Sequence, residues 1–183
     1  MNKNEIRKKY IDIRKNINAI DRINKSKIIS NKLLLNKVLN DSKVIAIYKS
    51  LNSEVDTEDT ISNLWSMNKV VLIPKVEKDI INFYEYNKND KLIKSTFGVL
   101  EPNNNKIYKK DNIDLIIVPG VCFDKNMNRM GFGKGYYDKY LENSNIYKIG
   151  ICFSEQISNK ELVTDKYDIK MNEIITDKEV YYE

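Results

Sequence analysis

Apolar residues recur every three to four positions at the start of the chain, at Ile6, Tyr10, Ile13 and Ile17, with Lys and Arg on the intervening faces. That stripe predicts a helix over residues 2–17. Asp21 offers a cap for a second helix running to residue 39, with Ile28, Leu34, Leu35 and Val38 among its buried positions. A third helical pattern covers residues 56–67, with Ile61, Leu64 and Trp65 apolar and Asp56 as its cap. Short β-branched runs separate these patterns. Residues 43–48 (KVIAIY), 70–73 stopped by Pro74, 81–86, 114–118 (DLIIV), 147–153 and 173–175 read as strands, and residues 135–141 as a further helix. Residues 87–111 are polar and irregular, with Gly98, Pro102 and the run Asn103 to Asn105, and are too long for a bare turn.

Strands that alternate with helices and are apolar on both faces predict an α/β fold. The expected architecture is a three-layer α/β/α domain spanning residues 1–183, with a mostly parallel central sheet.

Composition sharpens this picture in three ways. No apolar run approaches the roughly 20 residues of a membrane helix, and the charged start Met-Asn-Lys-Asn-Glu-Ile-Arg has no apolar signal region. A cytoplasmic protein is expected from this, and, separately, a monomer. The net charge of +5 suits acidic ligands such as nucleotides, although Lys, Asn and Ile are abundant throughout and supply a purely compositional origin. No basic stripe with interleaved aromatics exists, so a nucleic-acid partner is not expected. Finally, the chain has no histidine and only two cysteines, Cys122 and Cys152, without metal-type spacing. Both read as buried free thiols. Catalysis must rest on carboxylates, Lys, Arg, Tyr, backbone amides or an added metal.

The strongest chemical signal is Arg129-Met130-Gly131-Phe132-Gly133-Lys134-Gly135-Tyr136-Tyr137-Asp138. Three alternate glycines follow a buried strand and precede a helix. Glycine lets backbone amides approach an anion closely, and a helix N-terminus adds its dipole. Arg129 and Lys134 add positive charge. The spacing is neither that of a Walker A loop nor that of a dinucleotide fingerprint. A phosphate cradle and a tight glycine-rich connection both remain open on spacing alone. So do two roles for Asp138, a magnesium ligand or a first-turn acid facing the helix dipole.

The stretch Val118 to Asp124 (VPGVCFD), followed by Arg129 to Asp138, closely resembles the signature of 5-formyltetrahydrofolate cyclo-ligases. Three other stretches agree in the same order: Lys3-Asn4-Glu5-Ile6-Arg7, residues 48–57 (YKSLNSEVDT) and residues 97–102 (FGVLEP). The resemblance implies that ATP and Mg2+ activate the formyl oxygen of 5-formyltetrahydrofolate, possession of a polyglutamate tail being optional. N10 then attacks, giving 5,10-methenyltetrahydrofolate, ADP and phosphate. Phosphoryl transfer needs positioning and charge neutralisation more than a nucleophilic side chain, which a chain without histidine can supply.

By the same resemblance, Lys3, Asn4, Glu5, Ile6 and Arg7 are nucleotide-binding, together with residues 129–137. Phe132, Gly133, Lys134, Gly135 and Tyr136 also touch the folate, with Lys49 and Glu54 at further substrate positions. Lys134, Arg129 and Tyr136 are the implied catalytic set, and Asp138 the implied metal ligand. One departure is visible. The family usually carries His-Asp-x-Pro-x-Asp near its end, where this chain has Tyr167-Asp168-Ile169-Lys170-Met171-Asn172. The second metal contact falls on Asn172, whose amide oxygen is uncharged, or on Glu173 after a one-residue shift. Readings of a different class are a sugar-phosphate isomerase on a related scaffold, a non-catalytic folate or nucleotide binder, and a basic RNA-binding domain.

Overall fold

The computed structural model describes residues 1–183. Its centre is a seven-stranded sheet built from β1 (Val44–Ile47), β2 (Val70–Glu77), β3 (Ile80–Glu85), β6 (Leu115–Val118), β9 (Tyr147–Ile151), β11 (Glu173–Ile175) and β12 (Val180–Tyr182), in the order β12-β11-β9-β6-β1-β2-β3. The five inner strands are parallel, and the two edge strands, β3 and β12, run antiparallel to their neighbours. Both faces are buried, which is why the inner strands are continuous apolar runs. Alternation divides them cleanly. Ile45, Ile47, Leu115 and Ile117 join one core cluster, while Ala46, Ile116 and Val118 join the other.

Helices α2 (Ala19–Leu34) and α4 (Glu58–Ser66) cover the first face, with the short α3 (Lys37–Asp41) beside them. The second face is covered by α5 (Tyr136–Leu141) and by Phe123, Met127 and Met171. The three-layer α/β/α arrangement expected from the sequence is present, with one thick helical layer and one thin one. Helix α1 (Lys3–Lys15) packs its Tyr10 and Ile6 against Val121, Cys122, Met130 and Leu162, on a small sheet formed by β10 (Ile157–Ser158), β7 (Cys122–Asp124) and β8 (Arg129–Met130). Cys122 and Cys152 are buried and free, and burial pushes the Cys122 thiol up to about 12.

Five expectations need correction. Helix α2 ends at Leu34, and Leu35 is 85% exposed, so residues 19–41 form two helices rather than one. Asn18 caps α2 by accepting from the Asp21 N–H, and Asn36 caps α3 by accepting from Leu39. The face that α2 buries is Ser26, Ile29, Ser30 and Leu33, while Ile28 stays exposed. Two serines lie on the buried face because α4 and the residues just before it supply their partners. The Thr60 hydroxyl donates to Ser30, and Ser26 accepts from the Asp56 N–H. Strand β2 does not stop at Pro74. Its pairing with β1 ends at Leu72, so beyond that point it has an open side where a missing N–H is tolerated. Residues 87–111, read from the sequence as irregular, hold a hairpin of β4 (Leu92–Lys94) with β5 (Leu100–Pro102).

Candidate active site

The chain leaves β1 toward β2 on one side and leaves β6 toward β9 on the other. The loops after β1 and β6 therefore flank the crevice at the carboxyl ends of adjacent parallel strands, where open α/β sheets take their ligands. Residues 48–57 form the first loop and residues 119–135 the second.

The second loop is anchored before it reaches its glycines. The Phe123 ring is fully buried between Gly120 and Gly150, where an added Cβ would stand 2.6 Å and 2.5 Å from it. The buried Asp124 carboxylate accepts from the backbone N–H groups of Asn126, Asn128 and Leu162 and from the Asn128 amide. Gln156 donates to the carbonyls of Gly120 and Val121. Arg129 leaves this frame almost fully buried. Its Nε donates to the Pro119 carbonyl at 2.6 Å, and its guanidinium lies 5.2 Å from the Tyr137 ring centroid and 3.8 Å from Asp138 Oδ1. Burial pulls its value down, and the charge of Asp138 opposes that shift.

The glycines then bring the loop onto α1. Arg7 Nε donates to the Gly131 carbonyl at 2.9 Å. Gly133 has φ +105°, and a Cβ there would come within 3.3 Å of the Arg7 guanidinium carbon. Gly135, at φ +70°, turns the chain into α5. That helix has only 6 residues, so the dipole expected from the sequence is small, and side chains carry most of the local charge.

These elements enclose a cavity of about 520 Å³ lined by Lys3, Arg7, Arg129, Met130, Lys134, the three loop glycines and Asp138. Its far wall is the segment carrying Asp165, Tyr167 and Asp168. Lys3 Nζ lies 2.9 Å from Asp168 and 3.2 Å from Asp165, and hydrogen bonding to Asp168 raises the lysine's value. Asp138 Oδ1 accepts from the Ile169 N–H at 3.1 Å, which ties the same segment to α5. Within the first helix, Lys3 and Arg7 face the cavity. Asn4 instead braces Arg7 at 2.8 Å, Glu5 completes the capping box with Asn2, and Ile6 packs in the core.

Asn172 is not part of this cavity. Its Oδ1 accepts from the Lys148 N–H at 2.8 Å, and its Nδ2 donates to Glu183. Glu173 is no replacement, since its buried carboxylate accepts from Asn36, between α2 and α3, and from Tyr147 on β9. The acid that joins Asp138 in the cavity is Asp168, which the sequence showed as a retained motif residue without giving it a role. Asp165 was missed altogether, because only folding brings residues 165–168 beside Lys3.

The loop after β1 has a different character. Glu54 is 7% exposed, and its Oε1 accepts from the Leu51 N–H at 2.7 Å. Burial pushes its carboxyl above the usual range. Lys49 pairs with Glu58 and lies 5.4 Å from the Tyr86 ring centroid. Neither residue lines the 520 Å³ cavity. Their loop connects to the glycine loop through Arg14, which donates to Ser53 and whose guanidinium lies 5.6 Å from the ring of the exposed Phe132. Tyr137 turns inward onto Phe83 and Arg129, and Tyr136 packs against the second core cluster with its surface partly open.

The residues present fit a nucleotide and a magnesium ion. Gly133 leaves open the space a Cβ would fill beside Arg7, and Lys3, Arg7, Arg129 and Lys134 offset phosphate charge. The hard oxygens of Asp138 and Asp168 suit magnesium. No cluster of three or more His, Cys, Asp or Glu side chains is poised to hold a metal, so phosphate and water oxygens would complete the coordination, as magnesium prefers.

The family model described as "5-formyltetrahydrofolate cyclo-ligase family" matches residues 1–177. The chain is 32% identical over 183 residues to the 5-formyltetrahydrofolate cyclo-ligase of Mycoplasma pneumoniae, covering 97% of this chain and 100% of that one. It is 28% identical over 174 residues to the mouse protein of the same description, covering 87% and 85%. The NMR structure of Aquifex aeolicus 5,10-methenyltetrahydrofolate synthetase superposes with a TM-score of 0.90 at 32% identity, covering 100% of this chain and 93% of that one.

Proposed function

Since the chain belongs to the 5-formyltetrahydrofolate cyclo-ligase family and its activity is that of a methenyltetrahydrofolate synthetase, we propose that the 520 Å³ cavity takes the ATP phosphates and that the crevice toward Glu54 takes the folate. The observation carrying this division is the convergence of Lys3, Arg7, Arg129, Lys134 and three glycines on one cavity, with Glu54 buried outside it. Lys134, exposed at the loop tip, reaches the terminal phosphate and steadies the charge that moves during transfer. Arg129, fixed by Pro119 and Tyr137, holds its guanidinium at a constant position for the same charge. Phe132 and Tyr136 face the folate, and the ionised Glu54 accepts from ring N–H donors. A magnesium ion held by Asp138 and Asp168 would offset phosphate charge when bound.

The decisive experiment follows absorbance in the methenyl-folate band with purified protein, 5-formyltetrahydrofolate, ATP and magnesium. Growth of the band only with all three present supports the reading. Growth without ATP would overturn the assignment of the cavity to phosphates.

A further inference from the structure

Arg14 stands on α1, two turns beyond Arg7, and is 5% exposed. A guanidinium so placed would ordinarily be matched by a carboxylate, because an unmatched buried charge is unfavourable. No carboxylate lies within ion-pair distance of Arg14. Its Nε donates instead to the Ser53 hydroxyl at 3.0 Å, one residue before Glu54. The same guanidinium lies 5.6 Å from the ring centroid of Phe132, a residue that is 56% exposed. One side chain thus touches the loop after β1 and the glycine loop after β6, the two walls of the crevice.

We propose that Arg14 is a positioning residue for the folate half of the site, setting the spacing between the Glu54 loop and the Phe132 ring. This rests on the assignment of the Glu54 side to folate. The planar guanidinium suits the task, because it donates in its plane to Ser53 while presenting a face to the aromatic ring. A lysine supplies charge without that geometry. The positive charge also acts through space on Glu54, holding its carboxyl lower than burial alone would leave it. The groups facing Glu54 are Arg14 from α1, Tyr48 from its own loop, and Tyr137 from α5. Of these only Arg14 stabilises the ionised form.

The test is steady-state kinetics of Arg14→Gln and Arg14→Lys against wild type, varying folate and ATP separately. Arg14→Gln should raise the KM for 5-formyltetrahydrofolate about tenfold and leave the KM for ATP within about twofold. Arg14→Lys should recover little of the folate KM, because the ring-stacking plane is gone. The acid limb of kcat/KM for folate should move to higher pH in Arg14→Gln and return toward wild type in Arg14→Lys, which restores the charge. In a Glu54→Gln background, replacing Arg14 should leave the pH profile unmoved. Equal rises in both KM values, or an unchanged folate KM, would overturn the role of Arg14. Thermal denaturation identifies any variant that fails to fold, and Arg14→Lys, which keeps length and charge, then carries the KM comparison. A wild-type enzyme that forms product yet shows no folate effect in the Glu54→Gln variant would instead sink the underlying placement of folate.

Discussion

The two loops at the carboxyl ends of β1 and β6 face one crevice and are built on opposite principles. The β6 loop is rigid at its root, where Phe123 and Asp124 are fully enclosed. It is open at its tip, where Gly133, Lys134 and Phe132 meet solvent. The β1 loop keeps its acid inside, with Glu54 at 7% exposure. A highly charged ligand needs cations that can be approached from water, and an open cavity lined by Lys3, Arg7, Arg129, Lys134 and Lys139 meets that need. A heteroaromatic ligand needs few but directional contacts in a drier place, where each hydrogen bond counts for more. On the division proposed above, the contrast between the loops is a contrast between two ligands, and each loop should fail in its own way.

The largest effects should come from the open loop. Lys134→Ala and Asp138→Ala should each lower kcat by about 10²- to 10³-fold, the usual result of removing a group that meets charge in the transition state. Lys134 is exposed and has no partner on the protein, so its thermal midpoint should barely move. Turnover within a few-fold of wild type in both variants, measured by methenyl-folate absorbance, would remove these residues from the chemistry.

Glu54 should fail differently, by trading binding against stability. Its folded-state value is raised above the unfolded value, with burial as the main cause. A raised carboxyl favours the folded state at pH below its unfolded value, and that contribution is lost as pH rises through the folded one. Glu54→Gln should therefore raise the thermal midpoint at neutral pH, with the gain disappearing near pH 4. The same variant should raise the folate KM by about ten- to a hundredfold, the effect of losing a charge-assisted hydrogen bond. A stabilised protein with an unaltered folate KM would make Glu54 a structural acid.

The two loops also differ in how far they can be read from the sequence. The glycine loop is legible because its conformation demands its residues, as at Gly133 with φ +105° and Arg7 close behind it. The inner strands are legible because burial on both faces leaves only apolar runs, as in the fully buried Leu115–Val118. What could not be read depended on distant partners. Ser26 and Ser30 look like solvent positions until Asp56 and Thr60 arrive to satisfy them. Leu34 and Leu35 look like core until Asn36 starts a new helix. Asp165 and Asp168 pair with Lys3, more than 160 positions away, and the Ile169 N–H ties their segment to Asp138. No local pattern encodes such a pairing.

Gly133→Ala sharpens the comparison at intermediate size. Its φ is one that residues with a Cβ rarely adopt, and the added methyl group would stand 3.3 Å from the Arg7 guanidinium carbon, a crowded contact. Strain of about 1–2 kcal/mol and a displaced Arg7 should raise the KM for ATP several-fold and leave that for folate nearly unchanged. A rise in the folate KM alone would mean that the loop serves the other ligand.

The smallest effect should come from Asn172→Asp, which restores the acid that the family motif carries at this position. Were Asn172 a metal contact, the added charge would lower the magnesium concentration needed for half-maximal activity. Its side chain, however, bridges the Lys148 N–H and the Glu183 carboxylate, away from Asp138 and Asp168. Aspartate can still accept from Lys148 but cannot donate to Glu183, and it places two carboxylates side by side. The expected outcome is an unchanged magnesium dependence and a stability loss of up to about 1 kcal/mol, read by thermal denaturation with and without salt. A sharper response to magnesium would mean that the segment from Asp168 to Asn172 rearranges when nucleotide binds, and that the cavity wall seen here is one of two positions it takes.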